Sequence, residues 1–293
     1  MFWYIFLIVI SSLVIAASFI VRRMSRNAGE LNIVTETFQG SGSRGAKFCF
    51  ISDIHISMMP VRWGDILAAI REEEPEFLVV TGDLVNKTSD IERAKQFILT
   101  LSLGLGIPVI ITMGNHDGEV ADQLPGGRAE FIDAFTSLKG DVRIASDGYT
   151  MVGNVLIGGL NDASFGTDEP DNYNGTWRDL ARDNDLAFVL ATHNADILLK
   201  CSGGSADGSQ SGTENSPSCV LCGHTHGGQI RMVRNVEFKM IKKDELPKRG
   251  IFYGRHNVNG FDLYITSGLG CALFPLRHGT RPEVVVVKIT PMC

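Results

Sequence analysis

The sequence predicts an α/β domain with a second sheet packed on the first, preceded by one membrane-spanning helix. Three observations carry this. Residues 2–21, "FWYIFLIVISSLVIAASFIV", contain no charged side chain. From Lys47 onward, short apolar and β-branched runs are separated by helix-like segments. Five of those runs stop abruptly in Asp, Asn or His.

At about 1.5 Å per residue the N-terminal stretch is long enough for the roughly 30 Å hydrocarbon core of a bilayer. No basic side chain precedes it, whereas Arg22, Arg23 and Arg26 follow it. The positive-inside rule then places that flank in the cytoplasm. The expectation is a single-pass protein of the inner (cytoplasmic) membrane whose catalytic part faces the cytoplasm. Ala16, Ala17 and Ser18 leave cleavage and export as the alternative, and Arg22-Arg23 lies on the wrong side of the apolar stretch for a twin-arginine signal. Residues 1–26 read as the anchor with its basic flank. Residues 27–46, polar with Gly and Ser near the end, read as a juxtamembrane segment with room for one short strand. The domain itself is expected over 47–290.

Within that domain "KFCFI" leads into Ser52-Asp53-Ile54-His55 and "FLVVT" into Gly82-Asp83. "PVIITM" leads into Gly114-Asn115-His116-Asp117, "LAFVLAT" into His193, and "SCVLC" into Gly223-His224-Thr225-His226. Runs of this kind without alternation predict strands buried on both faces. Helices are expected between the first three, at 61–74 and at 89–102, the latter with Ser89 as N-cap and Asp90 and Glu92 in its first turn. Strand, helix, strand at this spacing is the βαβ pattern. "DLYIT" at 262–266 and "EVVVVKI" at 283–289 add strands for a second sheet. The Ser- and Gly-rich stretch 201–218 reads as a flexible surface insertion.

Composition narrows the function. The net charge is −6 and the pI about 5.7, against a nucleic-acid partner. Six cysteines are scattered, and the Cys219-x-x-Cys222 pair has no second pair to complete a zinc site, so both read as buried free thiols.

In open α/β sheets ligands bind at the carboxyl ends of the strands, where Asp53, His55, Asp83, Asn115, His193, His224 and His226 all fall. Singly each has a plain reading: an Asp or Asn after a strand often forms a turn, and a lone His is often a core residue. His224 and His226, two apart among glycines, suit a metal site or a surface turn equally well. Jointly the seven offer more oxygen and imidazole donors than one ion takes and about enough for two, in a mixture suited to Mn, Fe or Zn. Asp83, isolated after Gly82, is the natural bridge. Two ions about 3.5–4 Å apart clamp a phosphoryl group and acidify a water for in-line attack. His116 would protonate the departing oxygen or stabilise charge in the transition state. Asp117 would orient a neighbour or cap the next turn.

The series Asp53-x-His55, Gly82-Asp83, Gly114-Asn115-His116-Asp117, His193 and Gly223-His224-x-His226 resembles the calcineurin-like metallophosphoesterase family. The tail "YITSGLGCALFPLRHGTRPEVVVVKI" resembles its membrane-associated bacterial branch. The resemblance implies a four-layer α/β/β/α sandwich with two divalent transition metal ions between the sheets, Mn first, with Zn or Fe as alternatives. It implies that Asp53, His55, Asp83 and His226 hold one ion and that Asp83, Asn115, His193 and His224 hold the other. It also implies that Asp83 bridges and that His116 acts on the leaving group. The insertion after His193 is longer than usual for the branch.

That branch includes broad phosphodiesterases and an enzyme of lipid A synthesis that cleaves the pyrophosphate of UDP-2,3-diacylglucosamine. The expected partners are therefore the membrane, through the N-terminal helix, and a phosphate-containing lipid or nucleotide-lipid substrate. A phosphodiesterase or phosphatase acting on soluble substrates, and a non-catalytic scaffold of the same fold, are the competing readings. Arg277 and Arg281, in "PLRHGTRPE", are candidates for substrate phosphate contacts or else structural charges. His256 and His278 lack a ligand-like setting.

Overall fold

The computed structural model describes residues 2–40, 42–162, 176–201, 217–231 and 244–291. Helix α1 runs Phe2–Gly29, is long and apolar enough to cross a membrane, and buries only Ala28. Strand β1 (Asn32–Gly40) follows at once. It pairs in parallel along its whole length with β12 (Glu283–Pro291), so residues 32–40 are part of the sheet rather than a spacer ahead of it. This corrects a domain start at Lys47.

The first sheet has six strands in the order β1, β12, β2 (Ala46–Ile51), β3 (Leu78–Thr81), β4 (Val109–Thr112) and β5 (Val142–Ile144). Its β2–β3–β4–β5 portion is parallel, as the βαβ spacing requires. The connecting helices are α2 (Trp63–Glu72) and α3 (Ile91–Leu105), with a 3₁₀ turn at Thr88–Asp90. Asp90, not Ser89, is the N-cap of α3. Two further helices, α4 (Asn115–Ala121) and α5 (Gly127–Thr136), follow β4.

The second sheet also has six strands, ordered β10 (Gly254–Val258), β11 (Phe261–Ile265), β9 (Cys219–Cys222), β8 (Ala187–Thr192), β7 (Val155–Leu160) and β6 (Gly148–Val152). Strands β7, β8, β9 and β11 run parallel. Helices α6 (Thr176–Asp183) and α7 (Glu245–Lys248) and the 3₁₀ turn Ala195–Leu199 lie on its outer face.

Three apolar layers hold this together. Phe48, Phe50, Val285 and Val287 from the first sheet meet Ile157, Val189 and Leu221 from the second. Ile51, Val80, Val284 and Val286 pack outward on Ile66, Phe97 and Phe131 of α2, α3 and α5. Leu190, Val220 and Leu263 pack outward on Trp177 and Leu246. The four consecutive valines of β12 thus supply both faces of one strand, which is why that run shows no alternation. The result is helices, sheet, sheet, helices: the four-layer sandwich. Cys219 and Cys222 are buried free thiols in the middle of it. The insertion expected at 201–218 lies almost wholly outside the described residues.

Candidate metal centre

The carboxyl ends of β2, β3, β4, β8 and β9 converge on one rim. Six of the seven expected ligands fall there in two groups: Asp53, His55 and His226, and Asp83, His193 and His224. Within each group the donor atoms lie within 4.8 Å of one another, and each group could hold a metal ion.

Asp83 stands between the groups. Its Oδ2 is 3.4 Å from His55 Nε2 and 3.2 Å from His193 Nε2, one imidazole from each. The His116 N–H, in the first turn of α4, donates to the other oxygen, Oδ1, at 2.9 Å. The two sheets are stitched at this point. His193 Nδ1 donates to Thr81 O at 2.8 Å, which leaves Nε2 for the site. The His224 N–H donates to both oxygens of Asp53 at 3.0 Å.

The turns that aim these side chains are conformationally costly. Asp53 (φ 48°), His55 (38°), Asp83 (53°), His224 (69°) and His226 (52°) all occupy the left-handed region. Non-glycine residues there cost on the order of 1–3 kcal/mol each, and such strain persists only where the surroundings over-determine it. Gly223 is required for a different reason, since a Cβ there would overlap Ser52 Oγ and the Asp53 carboxylate.

The donor set fits a pair of cations. His55 Nε2 and His226 Nε2 face each other at 3.2 Å, and His193 Nε2 and His224 Nδ1 do so at 3.1 Å. Facing imidazole nitrogens share at most one proton, and a cation satisfies both lone pairs. Asn115 Oδ1 is buried and accepts no hydrogen bond, as expected of an oxygen reserved for a ligand. The outer nitrogens are held by residues the sequence did not single out. His55 Nδ1 donates to Asn86 Oδ1 at 2.6 Å and His224 Nε2 to Asp244 Oδ2 at 3.3 Å. Such partners fix the tautomer that presents the other nitrogen to a metal.

Electrostatics point the same way. Burial pushes the Asp83 carboxyl up, but His193 and His55 outweigh it and hold it well below the usual carboxylate range. Burial pushes His193 down, but Asp83 outweighs that and holds it up at about 10. Burial keeps His55 low, hence neutral and ready to ligate. In the metal-free protein His193 and Asp83 are thus an ion pair. Below the unfolded histidine value of about 6.5 the raised His193 value contributes its full stability, which is lost as pH rises towards 10. A metal replaces that proton, so titrating metal into the apoprotein at about pH 8 should release about one proton from His193. Calorimetry in buffers of different ionisation enthalpy reads this directly. A buffer-independent heat contradicts it.

Asp117 both caps and orients. It is buried, accepts from the Gly114 N–H at the start of α4 (3.0 Å), and also from the Leu84 (2.9 Å) and Val85 (3.3 Å) N–H groups. It therefore locks the loop after β3 to the loop after β4, which carry Asp83 and Asn115. Burial and the neighbouring Asp83 raise it to about 7.

His116 is part-exposed at the edge of the cluster, its ring 5.2 Å from that of His55. The two arginines do not join the site. Arg277 is fully buried, and its Nη2 donates to the carbonyls of Ser267 (2.8 Å), Gly268 (3.1 Å) and Gly270 (2.5 Å). It braces the turn packed against Asp53, where the Gly270 N–H donates to Asp53 O, and so cannot reach a substrate phosphate. Arg281 is exposed and pairs with Glu30 at 3.1 Å, beside the end of α1. His256 Nε2 bonds Tyr253 O and takes no part.

Residues 46–228, most of both sheets and every expected metal ligand, match the model of calcineurin-like phosphoesterases. The chain belongs to the calcineurin-like phosphoesterase family. It is 28% identical over 280 residues to YpbG of Bacillus subtilis (strain 168), covering 94% of this chain and 95% of that one. It is 27% identical over 260 residues to the metallophosphoesterase YkuE of the same organism, covering 85% and 80%. It is 24% identical over 252 residues to the phosphodiesterase YaeI of Escherichia coli (strain K12), covering 83% and 82%. This calcineurin-like phosphoesterase is accordingly a metal-dependent phosphoester hydrolase, with Asp and His groups for two ions.

Proposed function

We propose that the protein hydrolyses a phosphodiester or pyrophosphate bond in a lipid-linked substrate at the inner face of the cytoplasmic membrane, with UDP-2,3-diacylglucosamine as the specific candidate. The observation that carries the hydrolytic part is Asp83, with one imidazole of each donor group within 3.4 Å of the same carboxylate oxygen. Asp53, His55, Asp83 and His226 would hold one ion, and Asp83, Asn115, His193 and His224 the other. Mn is the first candidate for both, with Zn or Fe as alternatives, since the set mixes carboxylate, amide and imidazole donors. Such a pair supplies the charge that neutralises the phosphoryl oxygens and activates a water.

The chain's own residues supply the rest. The His116 N–H holds the Asp83 carboxylate, and Asp117 holds the loop that follows it. Asn86 and Asp244 fix the tautomers of His55 and His224. His116, at the open edge, delivers a proton to the departing oxygen. The lipid-linked reading is supported by α1, whose last turns are bonded to the domain through Met24 O and the Arg277 N–H at 3.1 Å. That contact holds the domain close to the bilayer α1 would cross.

The test is turnover of UDP-2,3-diacylglucosamine against simple nucleotide diesters, with Mn and with Zn. Release of UMP from the former with kcat/KM higher by orders of magnitude is expected. Equal, slow hydrolysis of both sinks the lipid reading and leaves a broad phosphodiesterase. No hydrolysis of either by metal-loaded protein leaves a scaffold.

A further inference from the structure

At the end of α1 farthest from the N-terminus lies a cavity of about 420 Å³ that the catalytic reading does not use. Its walls include Arg23 and Asn27 from α1, Arg231, and the His278–Arg281 segment. A second cavity of about 540 Å³ shares Arg23, Asn27 and Arg281 with it and extends along α1 past Arg22 and Arg26 to Phe19. Five arginines thus line these two adjoining cavities, which together form the hollow, and Glu30 is the one carboxylate among their described lining residues. Of the five, only Arg281 is ion-paired among the described residues. Such a concentration of guanidinium groups is matched by a phosphate-bearing anion.

Position says which anion. The hollow begins where the apolar part of α1 ends, at the depth where a helix crossing a bilayer leaves it. The segment that forms its other wall also carries Leu273 and Phe274, two adjacent large apolar side chains that are 79% and 61% exposed. They are tied to the same wall, for Gln229 Nε2 donates to the carbonyls of Phe274 and Leu276. Two adjacent bulky apolar residues in water are costly. Next to a membrane-spanning helix and a basic hollow they fit insertion at the headgroup boundary.

We propose that this hollow binds the headgroup of an anionic phospholipid. Its phosphate sits against Arg23, Arg231 and Arg281, its acyl chains follow α1 past Phe19, and Leu273 and Phe274 enter the same leaflet. The domain then lies with this face on the bilayer. The hollow also shares a wall with the metal centre: Arg231 Nε donates to Gly227 O, directly after His226, at 2.8 Å. The inference rests on α1 crossing the membrane and is independent of which phosphoester is cleaved.

The test uses the full chain reconstituted in nanodiscs of phosphatidylcholine with and without phosphatidylglycerol, followed by native mass spectrometry of the extracted protein. Retention of phosphatidylglycerol over phosphatidylcholine is expected, falling about fivefold for each of Arg23→Gln and Arg281→Gln. Arg182→Gln, an exposed arginine on α6, should leave it unchanged. Excess inorganic phosphate should not displace the lipid. Equal retention of the two lipids, an equal loss with Arg182→Gln, or displacement by inorganic phosphate overturns the inference, the last by showing a site for soluble anions. A chain that does not enter nanodiscs overturns the membrane reading of α1 and this inference with it.

Discussion

Asp83→Asn should purify with neither metal retained and with turnover at least about 10²–10³ below wild type, the loss expected for one preorganised electrostatic contact. The reason is geometric. Its Oδ2 lies within 3.4 Å of an imidazole nitrogen from each donor group. An amide presents one oxygen where the carboxylate presents two, and it carries no charge to offset two cations. The same change leaves the buried His193 without its counter-charge, and breaking a buried pair costs about 3–5 kcal/mol. The metal-free variant should therefore melt well below metal-free wild type. Circular dichroism with metal analysis separates the two effects. A variant that keeps both ions would show that Asp83 does not bridge.

His116→Ala should behave differently. His116 is part-exposed, and it is bonded into the centre through its backbone N–H to Asp83, which alanine retains. Both ions should stay bound and the fold should keep its stability. Turnover should fall about 10²–10⁴-fold, the range for a lost general acid. The loss should be smaller for substrates whose leaving group needs no proton, such as a nitrophenolate ester. An equal loss for good and poor leaving groups would move His116 from proton delivery to charge stabilisation.

The contrast between these residues mirrors what the sequence could reveal. The candidate metal ligands were legible only jointly: any one Asp, Asn or His after a strand has a structural reading, but five apolar runs all stopping in such donors at carboxyl ends do not. Asn86 and Asp244 were not. They act through hydrogen bonds to His55 and His224 that exist only once the loops are in place. For Arg277 the sequence left a phosphate contact and a structural charge both open, and burial decides for the second: its guanidinium satisfies three carbonyls of the turn behind Asp53.

The fold shows the same division. Strands β2, β3, β4, β8 and β9 are uninterrupted apolar runs. Strand β7 contains Gly158 and Gly159, which interrupt its apolar run and are glycine because Trp177 and Ala145 pack where a Cβ would be. Strand β1 is mostly exposed and polar, and its partner β12 lies some 250 residues away, so nothing local marks it as part of the sheet.

The central claim is that Asp83 joins two metal sites. Metal analysis of the purified full chain, prepared under reducing conditions with Mn supplied, tests it most directly. Two ions per wild-type chain and none in Asp83→Asn is the predicted result. A wild-type chain that retains no transition metal would contradict the account.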